Sequence, residues 1–229
     1  MKLGHCAFIT LYSSSPEKTG AFCRMLGFTA VSLDTTAALM TDGNYFFDIR
    51  YAEKPATTLS YCVLDISDAI HMAENLEIAI IEKSQHHAIL QEPNGLLILL
   101  ISSEALALSE FPKNPSSLCG TFYEISLETT DMERSISWWQ NVGFKATTRH
   151  TTWCTLDDGK MKIGLYEKGS CPHMFRNPSL TYFESDMAER IGKLKERGTI
   201  FAQEEGEIGM KGHAIAESPD GQYFFLFTA

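Results

Sequence analysis

The sequence predicts an α+β fold of four βαβββ modules, arranged as two tandem copies of two modules each. The first observation that predicts this fold is an internal repeat: residues 15–28 align without a gap with residues 131–144. A second pair of matching segments, residues 87–95 and 213–221, lies near the end of each copy. Two matching pairs in the same order indicate that the chain is a tandem duplication.

The second observation is that a strand-like run followed by a helical run occurs twice in each copy, which divides the chain into four modules. The strand-like runs cover residues 6–11, 59–64, 122–127 and 180–183. Short apolar or alternating runs of this kind are typical of strands, and the following segments repeat apolar residues at helical spacing.

The third module shows the pattern most clearly. Residues 122–127 alternate in the period of a half-buried strand. Thr130, with Glu133 three residues later, predicts a capping box at the start of a helix, and Gly143 is the residue expected to end that helix in a left-handed conformation. Residues 157–159 read Asp-Asp-Gly and predict a hairpin turn between the next two strands. The predicted order is strand, helix and then further strands.

The first module repeats this order, with Pro16 at the first position of a helix and a matching turn at residues 41–43. Between the two copies, Pro and Ser residues are typical of a connector. We therefore expect a first domain of two modules at residues 1–104, a linker at residues 105–119 and a second domain of two modules at residues 120–229.

Charge and hydropathy limit the partners of the protein. The 229 residues carry a formal net charge of -10 at pH 7, which repels phosphate backbones and anionic lipid surfaces, so we expect no nucleic acid and no membrane partner. The longest aliphatic run, residues 96–101, is far shorter than the roughly 20 residues that cross a bilayer. The amino terminus also lacks the basic and apolar segments of a signal peptide. We expect a cytoplasmic protein.

The cysteines lie far apart in the sequence and include no Cys-x-x-Cys pair, which favours reduced thiols over a disulfide framework or a structural zinc site. We expect them to be small core residues. They are Cys6, Cys23, Cys62, Cys119, Cys154 and Cys171.

The repeated modules, with residues 131–144 after a first strand and the sequence Ser-Pro-Asp-Gly-Gln at residues 218–222 before a last strand, resemble the vicinal oxygen chelate superfamily. That superfamily includes glyoxalase I, the bleomycin-resistance proteins and the extradiol ring-cleaving dioxygenases. The resemblance covers nearly the whole chain. It implies that the four modules are paired into two cupped, mostly antiparallel sheets, with helices packed behind and a ligand cavity in front. It also implies that a divalent metal is held by His or Glu side chains from the first and last strands.

The positions that would hold the metal can be read from the resemblance. They are Phe8, Thr58 and Leu99 in the first copy, and Glu124, Ser179 and Phe225 in the second. One carboxylate stands where three or four donors are needed. We therefore predict no metal and no other cofactor, and keep a divalent metal with displaced ligands as the alternative.

The alternation of the strands predicts which side chains face the second cup. Ile125 and Leu127 are expected to face the helices, which leaves their neighbours on the cavity side. Both cavity lining and core packing stay open for the aromatic members of the set. The expected ligand-binding residues are Phe122, Glu124, Ser126, Tyr166, Thr181, Phe183, His213, Tyr223 and Phe225.

Charged and titratable side chains in the cups have alternative interpretations. Glu124 could act as a general base, could bind a ligand cation or could simply be solvated. His213, and its equivalent His87 in the first copy, are polar strand residues or, for His213, a candidate for metal binding or proton transfer. In the first copy, Arg50 pairs either with Asp48 or with a ligand carboxylate.

No nucleophile elbow, phosphate loop or dinucleotide fingerprint occurs in the sequence, so nothing favours a hydrolase, kinase or dehydrogenase. The leading hypothesis is a protein that binds a small planar or aromatic molecule in the second cup without a metal, in detoxification or resistance, while Leu97 and Leu99 fill the first cup. The alternative is a metal-dependent lyase or dioxygenase with Glu124 and His213 as candidate ligands. A third hypothesis is an assembly module, and both a monomer and a homodimer remain open.

Overall fold

The computed structural model describes residues 2–34, 36–103 and 117–229. We call residues up to 103 the first half of the chain. Its elements are β1 (Cys6–Ser13), α1 (Pro16–Met25), β2 (Thr29–Leu33), β3 (Ala37–Thr41), β4 (Phe46–Tyr51), β5 (Ala56–Val63), α2 (Ile66–Asn75), β6 (Ile80–Lys83), β7 (His87–Gln91) and β8 (Leu97–Ser102).

The second half, from residue 117 onward, repeats this order and adds one short helix. Its elements are β9 (Thr121–Thr129), α3 (Met132–Asn141), β10 (Lys145–Arg149), β11 (Trp153–Asp157), β12 (Lys162–Glu167), β13 (Ser179–Glu184), α4 (Met187–Glu196), β14 (Phe201–Gln203), α5 (Glu205–Ile208), β15 (Ala214–Glu217) and β16 (Tyr223–Thr228). Among the described residues, no helix has the length and apolar character needed to cross a membrane.

Each half forms one eight-stranded sheet, and the two sheets have equivalent strand orders. The first runs β2-β3-β4-β1-β5-β8-β7-β6 and the second β10-β11-β12-β9-β13-β16-β15-β14. At the centre, the first strands of the two modules pair antiparallel, and each also pairs in parallel with the last strand of its own module. All other pairs are antiparallel, so the predicted fold of paired βαβββ modules is confirmed.

The helix of the third module begins one residue later than the capping pattern predicts. Its N-cap is Asp131, whose carboxylate accepts a hydrogen bond from the backbone N–H of Arg134 at 3.0 Å. The Thr130 and Glu133 capping box is therefore wrong, because an aspartate at the next position satisfies the same backbone donors. Gly143 follows the helix with φ of 102°, as predicted.

The strands of each sheet come from one half of the chain, residues 6–102 or residues 121–228. We propose residues 1–104 and 120–229 as the two domains on this basis. Most of the expected linker, residues 105–119, lies outside the described residues.

One hydrophobic core joins the two halves. Phe22 on α1 packs edge-on against Phe224 on β16, with ring centroids 5.4 Å apart. Phe28 likewise contacts rings of both halves, Phe47 at 4.9 Å and Tyr182 at 6.5 Å. The backs of both sheets therefore bury their apolar side chains against each other and against helices, which leaves the opposite faces as the two cups.

Phe122 belongs to this shared core, so the prediction that it faces the second cup is wrong. The pairing of β9 with β13 changes register there: Thr181 pairs with Glu124, but Tyr182 pairs with Phe122. Tyr123 is thus the extra residue of a β-bulge, which reverses the alternation beyond it. Phe122 packs on Tyr182 at 5.2 Å in the core, and Tyr123 instead packs on Phe183 at 5.3 Å.

Polar contacts between the halves are approximately reciprocal. The side chain of Asn94 donates to Ser135 Oγ at 3.0 Å, and Thr19 Oγ1 donates to Asp220 Oδ2 at 2.8 Å. Asn94 aligns with Asp220 in the duplicated terminal motif, and Thr19 aligns with Ser135 in the duplicated helix. The terminal turn of each half therefore contacts the first helix of the other half, as expected for two copies related by an approximate two-fold axis.

The expectation that all cysteines are free is wrong for one pair. Cys6 on β1 and Cys62 on β5 form a disulfide, with their Cα atoms 5.3 Å apart. The two residues are directly opposite each other in the antiparallel pair, a separation that a disulfide can span. The sequence gives no sign that the two cysteines are close, because their proximity depends on the pairing of two strands from different modules.

The first cup is filled by side chains. Phe8 and Phe46 are fully buried and cluster with Cys62, and Leu99 is 7% exposed. Arg50 Nε donates to Asp48 Oδ2 at 2.6 Å, so the internal ion pair is the correct interpretation of these two residues. Phe8 and Phe46, rather than Leu97, are the largest fully buried side chains of this cup.

Candidate ligand cavity

Three neighbouring strands bring polar side chains together on the cup face of the second sheet. Thr181 on β13 pairs with Glu124 on β9 and, on its other side, with Phe225 on β16. Side chains at paired positions lie on the same face of a sheet. A row that runs from carboxylate to hydroxyl to aromatic ring therefore crosses the centre of the second cup.

Glu124 is fully buried beneath this face. Its Oε1 atom accepts hydrogen bonds from Tyr166 Oη at 2.7 Å and from Ser126 Oγ at 3.1 Å, whereas Oε2 is buried without a hydrogen-bond partner. Gly164 on β12 makes room for the carboxylate, because a β-carbon at this position would collide with it. The glycine explains how a large charged side chain fits inside a packed sheet.

Burial raises the pKa of Glu124 above its ordinary value, since the charged form loses its hydration. The hydrogen bonds from Tyr166 and Ser126, and then the charge of Lys162, act in the opposite direction without cancelling this effect. Burial and the neighbouring carboxylate likewise raise the pKa of Tyr166 well above its usual range. The phenol therefore keeps its hydrogen at neutral pH.

Glu124→Gln is expected to remove part of the pH dependence of stability. Because the folded state raises the pKa of Glu124, its contribution to stability is complete below about pH 4.5 and is lost as pH rises through the raised pKa. Each pKa unit of elevation corresponds to about 1.4 kcal/mol. Thermal unfolding of both proteins between acidic and neutral pH should show the wild type losing stability relative to Glu124→Gln as pH increases.

The matched control is Glu196→Gln, which removes one carboxylate from the exposed surface of α4. Its stability curve should run parallel to that of the wild type, since the Glu196 side chain stays exposed to water in the folded protein. A difference between wild type and Glu124→Gln that is constant with pH would contradict the raised pKa.

A cavity of about 280 Å³ opens above Glu124 on the cup face. Its volume is near the lower end of the roughly 300–1,000 Å³ found for small-molecule sites. The lining residues are Ser126, Thr152, Trp153, Tyr166, Ser170, Cys171, Pro172, His173, Phe175, Thr181, Phe183, Met210, His213, Phe225 and Phe227. We call the hydroxyl groups of Ser126, Tyr166 and Thr181 the cavity floor.

The structure brings most of the expected ligand-binding residues together around this cavity. Glu124 lies beneath the floor rather than in the lining, and it reaches the lining through Ser126 and Tyr166. Tyr223 is buried beside the cavity, under the guanidinium group of Arg176 at 4.4 Å. The expected residues that line the cavity are Ser126, Tyr166, Thr181, Phe183, His213 and Phe225.

Aromatic rings form the walls. The ring of Phe225 lies 4.6 Å from His173, 5.2 Å from Phe175 and 5.4 Å from Phe227, measured between centroids. His213 stacks on Phe227 at 4.7 Å. Rings at these distances pack in offset or edge-to-face arrangements, so a planar molecule in the cavity would meet several ring faces or edges.

Sequence reasoning missed the part of the lining that comes from residues 168–178. This connection between β12 and β13 contributes His173 and Phe175. Asn177 fixes its end, since the side chain accepts from the backbone N–H of Glu128 at 2.7 Å and donates to the carbonyl of Glu128 at 2.8 Å. A loop has no periodicity from which its path can be read, and its two aromatic rings are the signal that could have marked it.

The residues of the second cup do not fit a divalent metal. The position opposite Glu124 is Thr181 rather than Ser179, because the strands pair in that register, and Phe225 occupies the last-strand position. The partners of Glu124 are neutral hydroxyl groups, whereas Mn²⁺ and Fe²⁺ sites use several carboxylate or imidazole ligands. Within the described ranges, no three His, Cys, Asp or Glu side chains are placed to hold a metal ion.

Comparisons with known proteins identify the fold. No family model and no curated protein matches the chain. Homoprotocatechuate 2,3-dioxygenase from Brevibacterium fuscum, in an E323L mutant structure, matches with a TM-score of 0.67 and 13% identity over 100% of this chain and 72% of that chain. The enzyme of the same name from Arthrobacter globiformis matches with a TM-score of 0.66 and 12% identity over 100% of this chain and 80% of that one.

A Mn(II)-bound glyoxalase from Novosphingobium aromaticivorans also matches, with a TM-score of 0.65 and 14% identity over 97% of this chain and 80% of that chain. These similarities span the whole two-sheet architecture. The chain therefore has the vicinal oxygen chelate fold in its tandem form, as the resemblance implied. At this level of sequence identity the comparisons establish the fold alone. Any activity has to be argued from the chemistry of the cavity.

Proposed function

We propose that the protein binds a small planar aromatic molecule in the cavity of the second half, without a metal. The observation that carries this proposal is the composition of the cavity, in which aromatic walls stand over a floor of hydroxyl groups. Concave apolar sites with a few convergent polar groups are the usual form of small-molecule sites. The contrast with the first cup, where Phe8 and Phe46 fill the space, supports a specialised second half.

The volume and the walls favour a ligand of one or two fused rings. Each favourable contact between a ligand ring and a wall ring contributes about 0.5–1.5 kcal/mol beyond the burial of area. At roughly -0.5 to -0.6 kcal/mol per heavy atom, inside the range for small ligands, a bicyclic compound of about eleven heavy atoms is expected to bind with a dissociation constant of about 10–100 μM. Binding without turnover would suit sequestration of a toxic compound.

Tryptophan fluorescence is expected to report binding. Trp153 lines the cavity, whereas Trp138 packs against Trp139 on α3 at 5.0 Å, in the shared core region. A panel that includes benzamidine, quinoline and 1-naphthylmethylamine should produce a saturable change in emission for at least one compound. Trp153→Phe should remove most of that change, and the control Trp138→Phe should retain it.

An absence of saturable change across the panel would contradict the proposal, as would a full response in Trp153→Phe.

The alternative function, a metal-dependent lyase or dioxygenase, has the fold of the Mn(II)-bound glyoxalase in its favour. Its donors would have to come from Glu124 and His213, and the metal content of the isolated protein and of Glu124→Ala distinguishes the two functions.

A further inference from the structure

The hydrogen bonds around Glu124 fix where the hydroxyl hydrogens of the cavity floor point. Oε1 accepts from Tyr166 Oη and from Ser126 Oγ. Ser126 has a single hydroxyl hydrogen, so its 2.6 Å contact with Thr181 Oγ1 requires Thr181 to donate. All three hydroxyl hydrogens are therefore used inside the floor. Protonation of Glu124 at Oε2, which has no hydrogen-bond partner, leaves this direction unchanged.

The cavity floor consequently presents acceptors. Thr181 Oγ1 and Tyr166 Oη both belong to the cavity lining, and each already donates its hydrogen to a neighbour below. Only their lone pairs remain for a ligand. A ligand group that is itself an acceptor, such as an ether or a carboxylate oxygen, would leave these oxygens unpaired and face them with like partial charge.

The two histidines of the lining, like the floor, offer a hydrogen-bond acceptor in their neutral form. His173 Nδ1 lies 2.9 Å from the carbonyl oxygen of Met174, and His213 Nδ1 lies 3.1 Å from that of Lys211. A carbonyl oxygen accepts, so Nδ1 carries the hydrogen in each ring, and in the neutral form Nε2 is an acceptor. Burial lowers the pKa of His173, which favours its neutral form.

The charge around the cavity also favours a ligand that donates hydrogen bonds, because the nearby charged group is negative. No Lys or Arg is among the described residues of the lining, and the Glu124 carboxylate lies directly beneath the floor. Outside the floor and the two histidines, the lining side chains that carry a donor are the Trp153 indole, the hydroxyls of Thr152 and Ser170 and the Cys171 thiol. They come from the start of β11 and from connections between strands, not from the floor.

We propose that the ligand is an aromatic amine, which places an N–H donor on Thr181 Oγ1 and Tyr166 Oη and has no carboxylate. This inference rests on the proposed binding function and specifies the class of ligand. The aromatic walls suit such a molecule as well, because the faces of aromatic rings attract cationic nitrogen. An ammonium group would also be stabilised by the negative charge of Glu124 when that residue is ionised.

Calorimetric titration with four naphthalene derivatives, which differ only in the substituent at position 1, tests the inference. They are 1-naphthylmethylammonium, 1-naphthylamine, 1-methoxynaphthalene and 1-naphthoate, which differ in donor capacity and charge. Both amines should bind at least tenfold more tightly than the ether, since a hydrogen bond to a buried group contributes about this factor, and 1-naphthoate should bind weakest. Tighter binding of the ether or of 1-naphthoate would overturn the inference.

Thr181→Val separates the hydrogen bond from the packing of the ring. The variant should lower the ratio of amine to ether affinity by about threefold or more, because one of the two acceptors is lost and Tyr166 Oη remains. Thr181→Ser should restore the ratio because it keeps the hydroxyl. The control is Thr10→Val, since Thr10 forms the equivalent buried hydroxyl pair with Ser60 at 2.7 Å in the first cup. That control should bind as the wild type does.

The outcomes distinguish the two proposals. Equal binding of all four compounds, or an amine preference that is undiminished in Thr181→Val, would overturn the assignment of an amine ligand and leave the aromatic cavity supported. Failure of all four compounds and of the wider aromatic panel would overturn the proposed binding function itself, and with it the inference.

Discussion

Phe225→Ala is expected to lower the free energy of unfolding by about 3–5 kcal/mol and to weaken the binding of aromatic ligands at least tenfold. The ring of Phe225 is 1% exposed and is the point at which His173, Phe175 and Phe227 meet. Its removal leaves a hole in the wall that the surrounding strands cannot fill. Chemical denaturation measures the first effect, and calorimetric titration with 1-naphthylmethylammonium measures the second.

The matched control for that variant is Phe8→Ala. Phe8 is equally buried, but it lies in the filled first cup. The control should show a similar loss of stability with unchanged ligand affinity. If both variants lost affinity to the same extent, the second cup would have no special role in binding.

Gly164→Ala is expected to cost about 1–3 kcal/mol of stability, because the added β-carbon collides with the Glu124 carboxylate. The carboxylate must then leave its position, and the hydrogen bonds from Tyr166 and Ser126 that orient the cavity floor are lost with it. Ligand affinity should fall at least tenfold. Denaturation and calorimetry measure both effects on the same protein.

Gly192→Ala is the control, because Gly192 lies on α4 with open space where the β-carbon would be. This substitution should stabilise the protein by about 0.5–1 kcal/mol, since alanine favours a helix over glycine. A Gly164→Ala protein with wild-type stability and affinity would show that Glu124 does not occupy the space above the glycine.

Much of the fold could be predicted because it follows from the periodic spacing of apolar residues along each strand and helix. The alternation of β9 places Ile125 and Leu127 in the core and Ser126 on the cavity side. The same reasoning failed at Phe122, because a β-bulge depends on how β9 pairs with β13 and leaves no mark in the alternation of one strand. The duplication, by contrast, could be read directly from the aligned segments.

The candidate site was less predictable, because it depends on contacts between strands and on one loop. Glu124 could be recognised as unusual, but the space that holds it is provided by Gly164 on another strand. Cys6 and Cys62 are neighbours for the same reason, through pairing of strands from different modules. The rings of His173 and Phe175 reach the cavity from residues 168–178, whose path has no period.

A crystal structure of the protein grown with 1-naphthylmethylammonium tests the central claim most directly. We expect the ring to lie between the aromatic walls of the second cup, with its nitrogen about 2.7–3.2 Å from Thr181 Oγ1 and no metal ion beside Glu124. A cavity closed by its own side chains, a ligand bound elsewhere, or a cation ligated by Glu124 would contradict this account.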